Sequence, residues 1–161
     1  MVRTFAAIDV GSFELELGIY EITEKGVVRS VDQVKHMIAL GKDTYNTGKI
    51  SYRLVEEMCQ VLCDFVRIMK EYQVKEYRAY ATSAMREARN SQIVLEQLRV
   101  RTGVDVKIIS NSEQRFISYK AIASKDAEFQ KNIQRGTAIV DVGFGSMQAS
   151  LFDKDALVST Q

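Results

Sequence analysis

Proline is absent from all 161 residues, so the commonest punctuation of loops is missing and glycine and Asx residues must mark the turns. Cysteine is scarce. Cys59 and Cys63 lie four apart in a helical stretch, and with one histidine in the chain they make no zinc site. Their spacing reads as two small core hydrophobes on one helix face. The lone His36 falls in a strand pattern without partners and is assigned no role. No apolar run approaches a membrane span, and the opening MVRTFAAIDVG lacks a signal-peptide pattern, so a cytoplasmic location is expected. Charge of one sign is lacking too. A formal net charge of +1 argues against duplex DNA or an anionic membrane surface as partner, and leaves an anionic ligand only a local site.

What is present is ordinary soluble globular usage, with 46% hydrophobic and 27% charged residues, at a length suited to one domain and part of another. Residues 3–10 are a short apolar run ending at Gly11, 14–22 alternate as a strand does, and 27–38 resume after the turn signal Glu24-Lys25-Gly26. Together they predict an antiparallel meander. Residues 40–51 read as a polar loop closing on Ser51 as N-cap. Leu54, Met58, Leu62, Phe65 and Met69 then recur at helical spacing. A strand at 75–81, a helical stretch broken near Asn90, a strand at 104–109 and a helix from Ser112 complete the order βββαβαβα. That order predicts an α/β fold with a mixed sheet, the ribonuclease H-like arrangement of actin, Hsp70 and sugar kinases. The polar stretch 124–135 reads as a connector, dividing a first lobe (1–123) from the opening of a second (124–161).

After the connector the chain repeats itself. GTAIVDVGFGSMQASLFD matches AAIDVGSFELELGIYE as apolar strand, Asp-Val-Gly, small turn and alternating strand. Asp9 corresponds to Asp141 and Gly11 to Gly143, an offset of 132 residues, which predicts a duplicated domain with the second copy only begun. Glycine lets such a turn tighten and lets backbone N–H groups approach phosphate, and an aspartate at a strand end can hold Mg2+ or orient water. Either loop alone is also what an ordinary hairpin turn looks like. Two in matching context favour a phosphate clamp. A second lobe that stops after its first strands predicts an open sheet edge and exposed apolar faces over 136–161. These strands are expected to pair with the first lobe, swap into a second copy as a homo-oligomer, or order poorly.

The segment Ala81 to Asn90, ATSAMREARN, follows a strand and opens a helix, and it resembles the Ala-Thr-Ser-Ala-Leu-Arg-Glu-Ala-Lys-Asn segment of the exopolyphosphatase/guanosine pentaphosphatase (Ppx/GppA) family. LGKDTYNTGKIS and TGVDVKIIS are similar to family segments as well, and the resemblance runs in order along the whole chain. It implies an actin-like ATPase fold and hydrolysis of the terminal phosphoanhydride of polyphosphate or guanosine pentaphosphate. Mg2+, glycine-rich phosphate loops and glutamates that activate water serve that reaction. Carried onto this chain, it implies phosphate contacts at Gly11, Ser12, Thr82, Ser83, Arg86, Gly143, Gly145 and Ser146, and metal contacts at Asp9 and Asp141.

The chain departs from that pattern where chemistry is done. The first loop, Asp-x-Gly-Ser-Asn-Ser in the family, reads Asp9-Val10-Gly11-Ser12-Phe13-Glu14, so Phe13 replaces a polar donor and Glu14 brings a carboxylate. The helix motif Ser-Gly-x-Glu-Glu-Ala-Arg reads Ser110-Asn111-Ser112-Glu113-Gln114-Arg115-Phe116, placing the catalytic glutamate on Gln114. The second loop, Asp-x-Gly-Gly-Gly-Ser-Thr-Glu, runs Asp141 to Gln148, with Phe144 in place of a glycine and the second functional glutamate on Gln148. Glutamine is nearly isosteric with glutamate but takes no proton. Weak or absent turnover is therefore expected, with a non-catalytic binding or regulatory module as the alternative; a register slip would make Glu113 the base. Arg86 either contacts phosphate or pairs with Glu87 or Asp43, and Thr82 and Ser83 are N-caps before they are ligand contacts.

Overall fold

The computed structural model describes residues 2–125 and 128–161. The chain forms two compact units, Met1–Ile109 and Ser110–Gln161.

In the first unit, β1 (Val2–Val10), β2 (Glu14–Thr23) and β3 (Val28–Met37) make the expected antiparallel meander. β4 (Glu76–Ala81) and β5 (Val106–Ile108) add parallel to β1, giving the order β3-β2-β1-β4-β5. Strand alternation puts Ala6, Ile8 and Val10, Leu15, Leu17 and Ile19, and Ala79 and Ala81 on one face, all buried. Against that core lies α2 (Tyr52–Glu71), whose buried stripe of Leu54, Met58, Leu62, Phe65 and Met69 is the one its spacing predicts. The helix α4 (Ser91–Thr102) adds Val94 and Leu98, and ends at Gly103 in the left-handed conformation a glycine C-cap supplies.

Several expectations need correcting. Residues 40–51 are not all loop: Leu40–Thr47 is a helix, α1, closed by Gly48 at φ 72°, whose N–H donates to the Thr44 carbonyl. Its composition is polar, but Leu40, Gly41 and Thr44 are buried, and Gly41 N–H donates to the Ser12 carbonyl at 2.7 Å. Tertiary contact makes this helix, not propensity. Ser51 holds the N-cap position of α2 without a side-chain cap bond; its own N–H is taken by the Asp43 carboxylate at 3.0 Å. Of the two cysteines only Cys59 is buried, and Cys63 is exposed. His36 does have a partner, Glu57 on α2 at 3.0 Å, which ties the edge strand β3 to the helix.

The ATSAMREARN segment forms a short helix, α3 (Ser83–Glu87), and the turn into α4, and it fastens four pieces of chain. Ser83 bonds Ser12, Arg86 donates to the Ile109 carbonyl at 2.7 Å, and Arg89 donates to the Thr47 carbonyl at 2.8 Å. Asn90 meets both backbone groups of Ile50, accepting at 3.0 Å and donating at 2.9 Å.

The second unit comprises α5 (Asn111–Lys125), α6 (Phe129–Ile133) and a separate antiparallel sheet of β6 (Thr137–Val142), β7 (Met147–Asp153) and β8 (Ala156–Thr160), in that order. Strands 136–161 therefore pair with one another rather than with the first sheet. The sequence division at 123/124 groups α5 with the first lobe, whereas its hydrogen bonds run to β6 and β7. Part of the connector, Asp126 and Ala127, lies outside the described residues. Phe152 packs edge-on against Tyr119 at 5.1 Å and Phe129 at 6.4 Å. Across β6 and β7 the opposite face presents Val140, Val142, Met147 and Leu151, all at least half exposed.

Candidate functional site

The two Asp-Val-Gly loops are the same turn built twice. Gly11 N–H donates to the Glu14 carbonyl at 2.9 Å, and Gly143 N–H to the Ser146 carbonyl at 2.9 Å, each 132 positions from its counterpart. The strand registers repeat as well, with Asp9 opposite Glu16 and Asp141 opposite Gln148. The first turn demands glycine more strictly. A Cβ on Gly11 would stand 3.0 Å from the Glu14 carbonyl oxygen, whereas one on Gly143 meets Ser146 at an ordinary 3.5 Å.

In the first unit, the ends of β1 and β4 lie side by side, with Val10 opposite Ala81, which brings Gly11 and Ser12 to Thr82 and Ser83. The hydroxyls are turned inward. Ser12 and Ser83 are buried, their oxygens 2.8 Å apart, and Ser12 also bonds the Tyr45 hydroxyl at 3.1 Å and accepts from Ala84 N–H at 3.2 Å. Thr82 occupies the N-cap position of α3 but makes no side-chain cap bond, so the expectation of hydroxyl caps here is not met. Arg86 pairs with neither Glu87 nor Asp43 in the bond described above; it reaches the end of β5 instead.

Beside this loop is an acidic patch on the sheet. Glu14 and Glu16 share Lys35, at 3.1 and 2.9 Å, so the carboxylate that Glu14 brings to the loop is already paired. Asp9 is open at the surface yet closely flanked. Desolvation by the surrounding strands, then the Glu16 and Glu14 carboxylates, push its carboxyl up to about 6, with Lys35 opposing. Among the described residues no three histidine, cysteine, aspartate or glutamate side chains are grouped to hold a metal ion. Asp9 in the first unit and Asp141 in the second each offer one carboxylate.

In the second unit, α5 lies along the face of the sheet that carries Asp141, Gln148 and Ser150. Ser118 donates to Asp141 at 3.5 Å, Arg115 Nη1 to Gln148 Oε1 at 3.3 Å, and the Tyr119 hydroxyl to that of Ser150. Two amide atoms here are buried without partners, Gln114 Oε1 and Gln148 Nε2. Glu113 is engaged elsewhere: its carboxylate accepts from Ser110 N–H at 2.7 Å while Ser110 Oγ accepts from Glu113 N–H at 3.2 Å, a reciprocal capping box at the start of α5. The Ser-x-x-Glu spacing carried that signal. Phe144 projects from the second loop, 72% exposed.

The Ser110 backbone N–H, then its hydroxyl, hold the Glu113 carboxyl below its usual value. A lowered folded pKa means that the cap contributes fully above about 4.5 and is lost as pH falls from there through the lowered folded value. The protection of the Ser110 amide, relative to its intrinsic exchange rate, is expected to fall on acidification through that range, and Glu113→Gln to remove this dependence while keeping the helix. An unchanged acid limb in Glu113→Gln would assign the effect to another group.

Sequence reasoning missed Tyr45, which closes on Ser12, and Arg115, which meets Gln148. Arg115 had a signal, since the family motif has alanine at its position.

Comparison with known proteins agrees with this geometry. A profile described as the Ppx/GppA phosphatase family matches residues 18–160. Exopolyphosphatase 1 of Mycobacterium tuberculosis (strain ATCC 25618 / H37Rv) is 27% identical over 89% of this chain and 40% of its own length. Guanosine-5'-triphosphate,3'-diphosphate pyrophosphatase of Photobacterium profundum is 25% identical over 96% of this chain and 31% of its own. The crystal structure of the Aquifex aeolicus Ppx/GppA family member superposes with a TM-score of 0.81 at 25% identity, covering 100% of this chain and 51% of that one. The chain thus spans 40% or less of these two curated relatives. With its mixed five-stranded sheet, its actin-like fold and its repeated Asp-Val-Gly turn, it belongs to the Ppx/GppA phosphatase family.

Proposed function

We propose that this chain inherits hydrolysis of the terminal phosphoanhydride of polyphosphate or guanosine pentaphosphate, with turnover reduced to weak or absent. The observation that carries this reading is chemical: glutamine stands at 114 and 148, where the family resemblance places water-activating glutamates, and Glu113 is tied into the helix cap. A glutamine side chain orients water but does not accept its proton. The names of the relatives support the substrate class. Mg2+ enters by the family resemblance alone, which assigns a metal contact to Asp9 in one unit and to Asp141 in the other. Two unpaired thiols support a cytoplasmic setting.

The same glutamines favour a second reading, a module that binds a phosphate ligand without cleaving it. Replacing two carboxylates by amides removes negative charge and keeps hydrogen-bonding groups, which suits retention of an anion. Phosphate release from polyphosphate and from guanosine pentaphosphate in the presence of Mg2+, measured beside binding of the same ligands, tests both readings. Turnover at ordinary family rates overturns the first; absence of binding overturns the second.

A further inference from the structure

Gln148 is 5% exposed, yet only one end of its amide is satisfied. Its Oε1 accepts from Arg115, and its Nε2 has no partner. The direction of the amide follows from the chemistry of that contact, because a guanidinium only donates and must meet the oxygen end. Arg115 is itself braced, its Nη2 donating to Ser112 Oγ at 3.3 Å. The other charged groups near this end of β7 are taken up elsewhere: Asp141 on β6 accepts from Ser118, and Glu113 caps α5. Gln114 on α5 carries the complementary defect, a buried Oε1 without a donor.

We propose that Arg115 is the positioning residue of this half-site. It fixes the Gln148 amide with its NH2 inward, leaving a buried donor at 148 that suits a neutral acceptor such as a water molecule. The Gln148 amide can bond that water but cannot deprotonate it. The inference rests on the reading of 114 and 148 as the former catalytic positions. The family motif has alanine where Arg115 stands, and alanine cannot reach position 148. The same contact makes a glutamate restored at 148 an ion-pair partner of Arg115 instead of an available base.

Side-chain amide NMR of the purified protein tests this. The Gln148 NH2 pair is expected to be resolved and slow to exchange. In Arg115→Ala it should shift and exchange about tenfold faster or more, the loss of roughly one hydrogen bond. Arg115→Lys, which keeps a donor, should retain most of the protection. The ring contact of Tyr119 with Phe152 reports that the second unit is still folded. Unchanged Gln148 signals in a folded Arg115→Ala overturn the proposal. If that variant unfolds, equal Gln148 exchange in Arg115→Lys and Arg115→Met overturns it, and faster exchange in Arg115→Met alone supports it. Ordinary turnover in the phosphate-release assay would sink the catalytic reading while leaving this measurement intact, so the two failures are distinguishable.

Discussion

With Mg2+ and polyphosphate, this chain is expected to release phosphate about 10²–10⁴-fold more slowly than a family member carrying glutamate at both positions, the usual worth of a general base. Phosphoryl transfer depends on positioning and charge neutralisation, so the expectation follows from the proposed roles of the residues at these positions. Gln114 and Gln148 cannot take a proton, the Ser12 hydroxyl bonds Ser83 and Tyr45, and the Ser83 hydroxyl bonds Ser12. Restoring the carboxylates alone, in Gln114→Glu with Gln148→Glu, is expected to leave release near its starting level, because Arg115 would pair with the new carboxylate and the first loop would still carry Phe13. Recovery in that double variant would show a site still shaped for catalysis and would refute this account. Release and ligand binding measured on the same preparation separate a missing base from a missing ligand.

The second large effect concerns the fold. Phe65 is among the largest fully buried side chains, set on α2 within the cluster that includes Leu15, Leu17 and Ile19 of β2. Phe65→Ala is expected to cost about 3–5 kcal/mol, transfer of the ring plus the cavity left behind. Against a total stability of roughly 5–15 kcal/mol that is a large share, enough to lower the urea midpoint of the first unit sharply. A loss below about 1 kcal/mol would mean that the site collapses around the deletion or that α2 does not anchor the core.

Much of this was legible in the sequence, for physical reasons. The strands of the meander and the stripe on α2 are periodic, and periodicity survives without context. The Asp-Val-Gly repeat was visible because a tight turn constrains residue type, and the structure reproduces it down to the hydrogen bond. α1 was not legible, since its residues are polar and its helicity comes from Gly41 and Thr44 packing inward. The packing partners of Ser83 and Arg86 were not legible for a related reason. Residue type announces a group able to bind phosphate, but only the fold shows that Ser83 is occupied by Ser12 and Arg86 by Ile109. His36 and Cys63 erred in opposite directions, one gaining a partner from a helix distant in sequence, the other facing solvent.

The interiors of the two units are unequal. The buried hydrophobic core lies entirely at or before Ile109, while the fully buried side chains of the second unit, among the described residues, are the polar Gln148 and Ser150. Heat capacity and transition enthalpy scale with apolar surface removed from water. A calorimetric scan is therefore expected to show a broad, low-enthalpy shoulder from the second unit ahead of a sharper main endotherm. A single symmetric peak, with calorimetric and van't Hoff enthalpies equal, would show one cooperative block instead. Otherwise this polypeptide has two melting temperatures, and a midpoint quoted from one probe describes only the unit that the probe sees.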